Sequence, residues 1–218
     1  MIIVKTPLRI NITSCGGGDY PEYYNRFPAC NVSMAIDKHT YAVMRYRPEI
    51  YNGVSRIQYS KVENVQDNLL IEHRGVNGVL RHLKESRGVE ISHFCDLPSN
   101  GLGGSSSFIC SMLKGFGELN GGNYDDEEII SACNTVERVI NLEPGGHADP
   151  YGCVVPGMKK VSFGPSGITH SPFFIDVEAF LGRCVLLYTN GSRQSYEAAA
   201  AYEGDDSLEE KHKIQALN

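Results

Sequence analysis

The chain has 218 residues, 41% of them hydrophobic, and a formal net charge of −6 at pH 7. This length and composition suit a globular protein of one large domain, or of one domain and part of another. The negative charge argues against general nucleic-acid binding, and no apolar run reaches membrane-spanning length. Scattered cysteines without a Cys-x-x-Cys pair, and the lack of an apolar signal core after Met1, predict reduced thiols in the cytoplasm.

The first half of the chain has the pattern of several strands followed by one long helix. Hydrophobic alternation and intervening turn residues predict strands over residues 2–12, 30–37, 40–47 and 54–60. A run of three glycines, residues 16–18, follows the first strand. Apolar residues at helical spacing, among them Leu69 and Leu70, predict a helix over 66–86.

The second half begins with a strand over 89–96, a turn rich in glycine and serine, and a helix over 105–120. A second helix is predicted to begin with Asp125 or Asp126 as its cap, and Val139 belongs to its inward face. The later predicted elements are strands near 158–163 and 183–189 and a last helix from Ser192.

The most informative segment is the turn between Pro98 and Phe108, in which residues 101–107 include three glycines and three serines. Glycine lets the backbone approach a ligand closely, serine can cap the helix, and the positive end of the helix dipole favours phosphate. The composition therefore predicts an anion-binding loop; the alternative is an ordinary glycine turn before a core helix. No Lys follows the last glycine, so the segment is not a Walker A loop, and it is a poor dinucleotide fingerprint.

This segment resembles the glycine-serine motif of the GHMP small-molecule kinases, Pro-x-x-x-Gly-Leu-Gly-Ser-Ser-Ser/Ala. It is one residue shorter than the motif between Pro98 and Gly101. The resemblance implies that the loop binds the triphosphate of ATP through these residues: Gly101, Leu102, Gly103, Gly104, Ser105, Ser106 and Ser107.

A second motif runs from Pro7 through Arg9 to Asp19. Arg9 could present its donors to a phosphate, and Asp19 could accept hydrogen bonds from several hydroxyl groups, as sugar binding requires. A tight turn with a capping Asp and a surface Arg is an equally good interpretation of the residues alone. The motif resembles the opening of the GHMP sugar-kinase branch that includes the D-glycero-D-manno-heptose 7-phosphate kinases, Pro-Phe/Leu-Arg followed by Gly-Gly-Gly-Thr/Ser-Asp.

A third motif extends from Glu137 and Arg138 through Gly145 and Gly146 to Asp149. One carboxylate could hold Mg²⁺ while another accepts a hydroxyl proton, and phosphoryl transfer needs both. On spacing alone, an exposed helical charge pair and a capping Asp account better for these residues. His147 lacks a third ligand at suitable spacing for zinc, so we expect a solvent-facing turn histidine.

The third motif also resembles the sugar-kinase branch, which has Glu-Arg on a helix and then Gly-Gly-x-Gln-Asp-Gln. Ala148 and Pro150 replace the two glutamines. The resemblance implies that Glu137 and Ser105 hold Mg²⁺, that Asp149 is the catalytic base and that Arg9 lies near the transferring phosphoryl group. It implies a sugar site at these residues: Gly17, Gly18, Asp19 and Gly146.

Together these resemblances imply an α+β fold of the ribosomal protein S5 domain 2 type, with a GHMP kinase N-terminal domain over 1–180. Residues 181–218 are expected to begin a truncated C-terminal domain. The implied activity is ATP- and Mg²⁺-dependent phosphorylation of a sugar or sugar phosphate, with the anomeric hydroxyl of a heptose 7-phosphate as the leading acceptor. The alternatives are a GHMP-like domain that binds without catalysis and a kinase for galactose, fucose or an isoprenoid alcohol. The expected partner is this small molecule, with no nucleic acid or membrane, and a homodimer is compatible with the sequence.

Overall fold

The computed structural model describes residues 1–13, 18–98, 101–143 and 145–187. Its centre is a seven-stranded sheet in which neighbouring strands follow the order β4-β3-β5-β2-β6-β7, and β1 also pairs with β2. Only β3 and β5 pair in parallel within the described part of the chain. The strands are β1 (Ile2–Thr13), β2 (Ala29–Tyr46), β3 (Ser55–Gln58), β4 (Val62–Val65), β5 (Val89–Cys95), β6 (Met158–Gly164) and β7 (Gly167–Pro172).

Helices pack against this sheet and connect its strands. A π-helical turn, Thr135–Ile140, continues the fourth helix, and its wider winding is shown by the bond from Asn141 N to Val136 O at 2.9 Å. Short 3-10 turns cover Glu49–Tyr51 and Asn68–Leu70. The α-helices are α1 (Pro21–Tyr24), α2 (Arg74–Leu83), α3 (Gly104–Leu119), α4 (Asp126–Asn134), α5 (Ala148–Val154) and α6 (Val177–Leu181).

The main core lies between the sheet and α3, which is buried along most of its length. Phe108, Met112 and Phe116 follow one another at helical spacing on α3 and are at most 1% exposed. A second cluster joins α1, α4 and α5 to the far end of the sheet, through Tyr24, Ile130, Ala148, Tyr151, Val161 and Phe163. The helix α3, which follows the glycine-serine loop, and the helix α5 therefore pack mainly in different hydrophobic clusters. Among the described residues, no helix is both long and apolar enough to cross a membrane.

The predicted strands 30–37 and 40–47 are one strand, β2, in the structure. Its pairing with β1 shifts register between Pro7 and Arg9, where Pro7 lies opposite His39 and Arg9 opposite Ala35. A bulge of this kind absorbs the extra residues that sequence analysis interpreted as a break. It also turns Leu8 and Arg9, two successive residues, toward the interior, where they are 0% and 7% exposed.

Two predicted helical faces were wrong in detail. The predicted helix 66–86 is shorter in the structure, because His73 caps α2 and Lys84 ends it in a left-handed conformation. Leu69 and Leu70 precede it and are 64% and 66% exposed. Val139 is 67% exposed, because the π-helical turn changes the angular position of the residues beyond α4.

The predicted strands 89–96 and 158–163 and the helix 105–120 agree with β5, β6 and α3. Asp125 is the residue that caps α4. Residues 183–187 are not in a strand, and the predicted helix from Ser192 lies outside the described residues. Sequence analysis did not predict β4, β7, α5 or α6, of which α5 proves important for the site.

Candidate active site

The glycine-serine loop leads directly into the first turn of α3. Gly101 and Gly103 have φ values of +79° and +72°, a left-handed conformation that glycine adopts without strain. Gly103 is the N-cap of α3, and a Cβ there would come within 2.9 Å of Arg9 Cγ. The loop therefore needs glycine at this position for two reasons, conformation and the close approach of Arg9. It presents the amino terminus of a 16-residue helix, the arrangement that favours anion binding.

The three serines of the loop have different surroundings. Ser105 is exposed to solvent. Ser106 is 2% exposed and donates a hydrogen bond from Oγ to Glu137 Oε1 at 2.8 Å. Ser107 is fully buried and bonds Thr40 Oγ1 at 2.6 Å. The serine in contact with Glu137 is thus Ser106, whereas the assignment of Ser105 as a magnesium ligand stays a prediction.

Glu137 lies on the π-helical turn beside the loop. Burial, reinforced by the charges of Asp149 and Glu143 and opposed by the bond from Ser106, raises the pKa of Glu137 to about 8. A carboxyl with so little compensating positive charge fits a cation site, since a bound cation would stabilise its ionised form. Among the described residues, no group of three or more His, Cys, Asp and Glu side chains could hold a metal ion by itself. Mg²⁺ is commonly held by one or two protein groups together with substrate phosphates, so this finding is compatible with a magnesium site.

Arg9 connects the glycine-serine loop to α5. Its Nε and Nη2 atoms donate to Asp149 Oδ1 and Oδ2 at 3.0 and 2.6 Å, a bidentate pair. Its Nη1 atom donates to Gly101 O at 2.7 Å, and its backbone N–H donates to Leu102 O at 2.9 Å. Asp149 lies in the first turn of α5 with 35% of its side chain exposed, so a ligand can reach it. The bulge in β1 is what directs Arg9 inward to make these contacts.

Asp19 is held against the turn that precedes α5. Its backbone carbonyl accepts from His147 N at 2.9 Å, and its Oδ2 atom accepts from Ala148 N at 3.1 Å. A Cβ at Gly146 would overlap the Asp19 carboxylate, so this position requires glycine. Two of the predicted sugar-site residues, Asp19 and Gly146, are therefore in contact. Gly18 precedes them in a described turn, and Gly17 lies outside the described residues.

Side chains that sequence analysis did not single out complete this turn. Arg138 donates to Gly145 O and, at 2.6 Å, to Glu22 Oε1 on α1. Tyr24 Oη lies 3.0 Å from His147 Nδ1. The expectation that His147 faces solvent was wrong: the ring is half-buried, and burial together with the charge of Arg138 lowers its pKa to about 4. The signal for these contacts was the tyrosine-rich segment 20–24 after the glycine run.

The structure thus brings the three sequence motifs to one region. Arg9 of the second motif contacts both the loop and Asp149, Ser106 contacts Glu137, and Asp19 lies against Gly146. A helix amino terminus for phosphate, a carboxyl suited to a cation and an accessible carboxylate lie within one network. This combination can bind a phosphate ester and accept a proton from a hydroxyl group.

Comparison with solved structures identifies the fold as that of the GHMP kinases. The chain superposes on a D-glycero-D-manno-heptose 1-phosphate kinase from Bacteroides thetaiotaomicron with a TM-score of 0.70 and 20% identity, covering 82% of this chain and 61% of that one. It superposes on mevalonate kinase from Methanococcus jannaschii with a TM-score of 0.66 and 16% identity, over 99% and 70% of the two chains. At these identities the similarity establishes the fold alone.

A separate comparison with family models matches part of the chain. Residues 71–157 match the model of the GHMP kinases N terminal domain. This result confirms the predicted family and fold class. A D-glycero-alpha-D-manno-heptose 7-phosphate kinase from Campylobacter jejuni is 24% identical over 235 aligned positions, covering 98% of this chain and 68% of that protein. The chain spans about three fifths of the heptose 1-phosphate kinase structure, 61% of its length.

Proposed function

We propose that the protein is an ATP-dependent kinase that phosphorylates a sugar or sugar phosphate, with the anomeric hydroxyl of a heptose 7-phosphate as the preferred acceptor. The family match supports a kinase, and the similarity to the heptose 7-phosphate kinase supports this acceptor class. ATP, Mg²⁺ and a cytoplasmic location belong to the same proposal. The domain boundary near residue 180 and a homodimer stay predictions.

The observation that carries the proposal is the position of Arg9 between Gly101 O and the Asp149 carboxylate. This contact puts the candidate phosphate loop and the candidate base on either side of one guanidinium. Phosphoryl transfer depends largely on positioning and charge stabilisation, and both groups must meet at the reacting atoms. A loop and an acid on unrelated surfaces would not support the same reaction.

Each residue then has a defined task. The loop binds the triphosphate through backbone N–H groups, and Asp149 accepts the proton of the sugar hydroxyl as its oxygen bonds to the γ-phosphorus and the bond to ADP breaks. Both oxygens of Asp149 already accept from Arg9, but each retains a lone pair for the sugar hydroxyl. Arg9 keeps Asp149 oriented and faces the charge that develops on the phosphoryl group. Glu137 and a loop serine would hold Mg²⁺, which neutralises phosphate charge when bound.

The proposal is tested by measuring ATP consumption with a panel of acceptors: heptose 7-phosphate, galactose, fucose and mevalonate. We expect turnover with the heptose phosphate and its loss in Asp149→Asn by about 10²–10⁴-fold, the usual contribution of a general base, with ATP affinity retained. Asp126→Asn, an exposed acid at the start of α4, is the matched control. ATP binding without turnover on any acceptor would instead support a binding domain without catalysis.

The magnesium site needs a separate comparison of the two serines. Ser106 contacts Glu137, whereas Ser105 is exposed on the loop. The magnesium concentration needed for half-maximal activity should rise in Glu137→Gln and in whichever of Ser105→Ala and Ser106→Ala removes a ligand. An unchanged requirement in Glu137→Gln would exclude this carboxyl from the metal site.

A further inference from the structure

The strand β6 carries a lysine where its pattern calls for an apolar residue. Lys159, Val161 and Phe163 alternate along β6 and share the face that packs on the helices. All three are buried, with exposures of 1%, 0% and 2%. Burying an ammonium group is unfavourable unless its hydrogen bonds are made, so the lysine must have specific partners.

The ammonium of Lys159 contacts the end of α5. Its Nζ atom donates to Gly152 O at 2.9 Å and to Val155 O. These carbonyls lie in the last turn of α5 and at its C-cap, where backbone acceptors have no partner within the helix. A positive charge at this end is also favoured by the helix dipole. Lys159 therefore fixes the carboxyl-terminal end of a helix whose first turn contains Asp149.

The same end of α5 touches Arg9. A Cβ at Gly152 would lie 2.8 Å from Arg9 Cγ and 3.0 Å from Arg9 Cβ, so the Gly152 backbone packs directly on the arginine side chain. The carbonyl of the same residue, Gly152, accepts the bond from Lys159 Nζ. A displacement of the last turn of α5 would change the position of Arg9, and with it the bidentate contact to Asp149.

The charge of Lys159 has a cost to the fold. Burial lowers the pKa of Lys159 to about 8. The unfolded chain, with the ordinary value of 10.5, holds this proton more tightly. A sequence selected for stability alone would place an apolar side chain here, as it does at Val161 and Phe163.

We propose that Lys159 is a positioning residue for the candidate active site, which holds α5 so that Arg9 and Asp149 keep their bidentate geometry. This inference rests on the proposed function where it concerns catalysis, because it assumes that Asp149 acts on the substrate. The contact with α5 can be tested independently of any activity. Both readouts are needed to separate the two proposals.

The first test is amide hydrogen exchange, read peptide by peptide, in Lys159→Met, Lys159→Gln and the control Lys160→Met, whose side chain is exposed on the same strand. We expect exchange in the peptide 148–155 to accelerate at least about tenfold in Lys159→Met and less in Lys159→Gln, which retains a neutral donor. Peptides from β1 and β2 should not change. Unaltered exchange over 148–155 would overturn the proposal, and Lys159→Gln alone carries the comparison if Lys159→Met does not fold.

The second test is the kinetics of the same variants with the acceptor that the panel identifies. A positioning role predicts that kcat falls about 10–100-fold in Lys159→Met and that KM for ATP changes much less, since Thr40 and Thr6 hold Ser107 of α3 independently of α5. Faster exchange over 148–155 with unchanged kcat would overturn the positioning role. If Lys159→Met shows faster exchange over 148–155 but the wild-type protein is inactive on every acceptor, the proposed function fails. The contact of Lys159 with α5 is then still confirmed.

Discussion

Neutral hydroxyl groups hold the first turns of α3 against the sheet, whereas charged groups hold the turn 145–148 and α5. Ser107 Oγ bonds Thr40 Oγ1 at 2.6 Å and Thr6 O at 3.1 Å, and Ser111 Oγ bonds Thr6 Oγ1 at 2.7 Å. On the other side of the site, the α5 region depends on Arg9, Arg138 and Lys159. The two regions therefore differ in chemistry, with hydroxyl groups in one and charged groups in the other.

This contrast indicates which contacts around the candidate site change with pH and salt. Hydroxyl groups do not change charge over the physiological pH range, so the neutral network should keep the loop in one conformation. Charged contacts respond to pH, and those near the surface also respond to salt. The hydroxyl network behind α3 is therefore expected to be insensitive to pH. Contacts of charged groups, on the α5 side and between Ser106 and Glu137, are where activity is expected to respond to conditions.

The largest expected effect comes from removing the charge at the junction of the two regions. Arg9→Met leaves Asp149 without its bidentate partner and should lower kcat by about 10²–10³-fold, as the loss of a preorganised donor does. Arg9→Lys keeps the positive charge but lacks the two parallel N–H donors of the guanidinium, so we expect its kcat to lie between those of Arg9→Met and wild type. Steady-state kinetics with the identified acceptor measure both. Arg45→Met, which breaks a surface pair with Glu90, is the control; equal kcat in Arg9→Met and Arg45→Met would contradict the assignment.

The neutral side is tested by Ser107→Ala. The change leaves Thr40 Oγ1 without this bond, and the free energy of unfolding should fall by about 1–3 kcal/mol. Because no titrating group is involved, the loss should be equal at pH 6 and pH 9. Urea unfolding measures it, with the exposed Ser105→Ala as control. A strongly pH-dependent loss would show that the loop is not supported independently of charge.

A pH-dependent effect distinguishes Glu137, the proposed cation-site carboxyl, from both supports. With a folded pKa of about 8 and an ordinary value of 4.5, Glu137 keeps a proton in the folded state that the unfolded chain has released. Its contribution to stability therefore declines as pH rises from about 4.5 to about 8. Glu137→Gln should remove this decline when unfolding is followed in EDTA from pH 5 to pH 8. The same slope in wild type and variant would mean that Glu137 does not titrate in this range.

The smallest expected effect concerns His147. Its pKa of about 4 reflects burial first and the charge of Arg138 second. Arg138→Met removes the second cause, so the pKa of His147 should rise while remaining below the ordinary 6.5. NMR titration of the imidazole protons measures the change, and Arg74→Met is a control on a neighbouring helix. An unchanged pKa of His147 in Arg138→Met would show that the charge of Arg138 does not act on this turn in solution.

Sequence reasoning predicted what depends on local chemistry. The dense glycine and serine of 101–107 and the helical period after them are sufficient to predict the loop and α3. The relation between Arg9 and Asp149 entered only through family resemblance, because their contact spans 140 positions and depends on a register shift that no periodicity reveals. Which loop serine contacts Glu137 depends on how α3 is rotated about its axis relative to the π-helical turn, and the contact is made by Ser106. Lys159 was missed because a buried lysine in a strand has no signal of its own.

The bulge in β1 has a consequence for protein engineering. A designer who transplants the glycine-serine loop onto a regular sheet would obtain a strand in which the residue after Leu8 points to solvent, since side chains alternate along an unbroken strand. The grafted loop would then lose the two bonds that Arg9 makes to Gly101 O and Leu102 O. The smallest transferable unit is therefore the loop together with its irregular neighbouring strand.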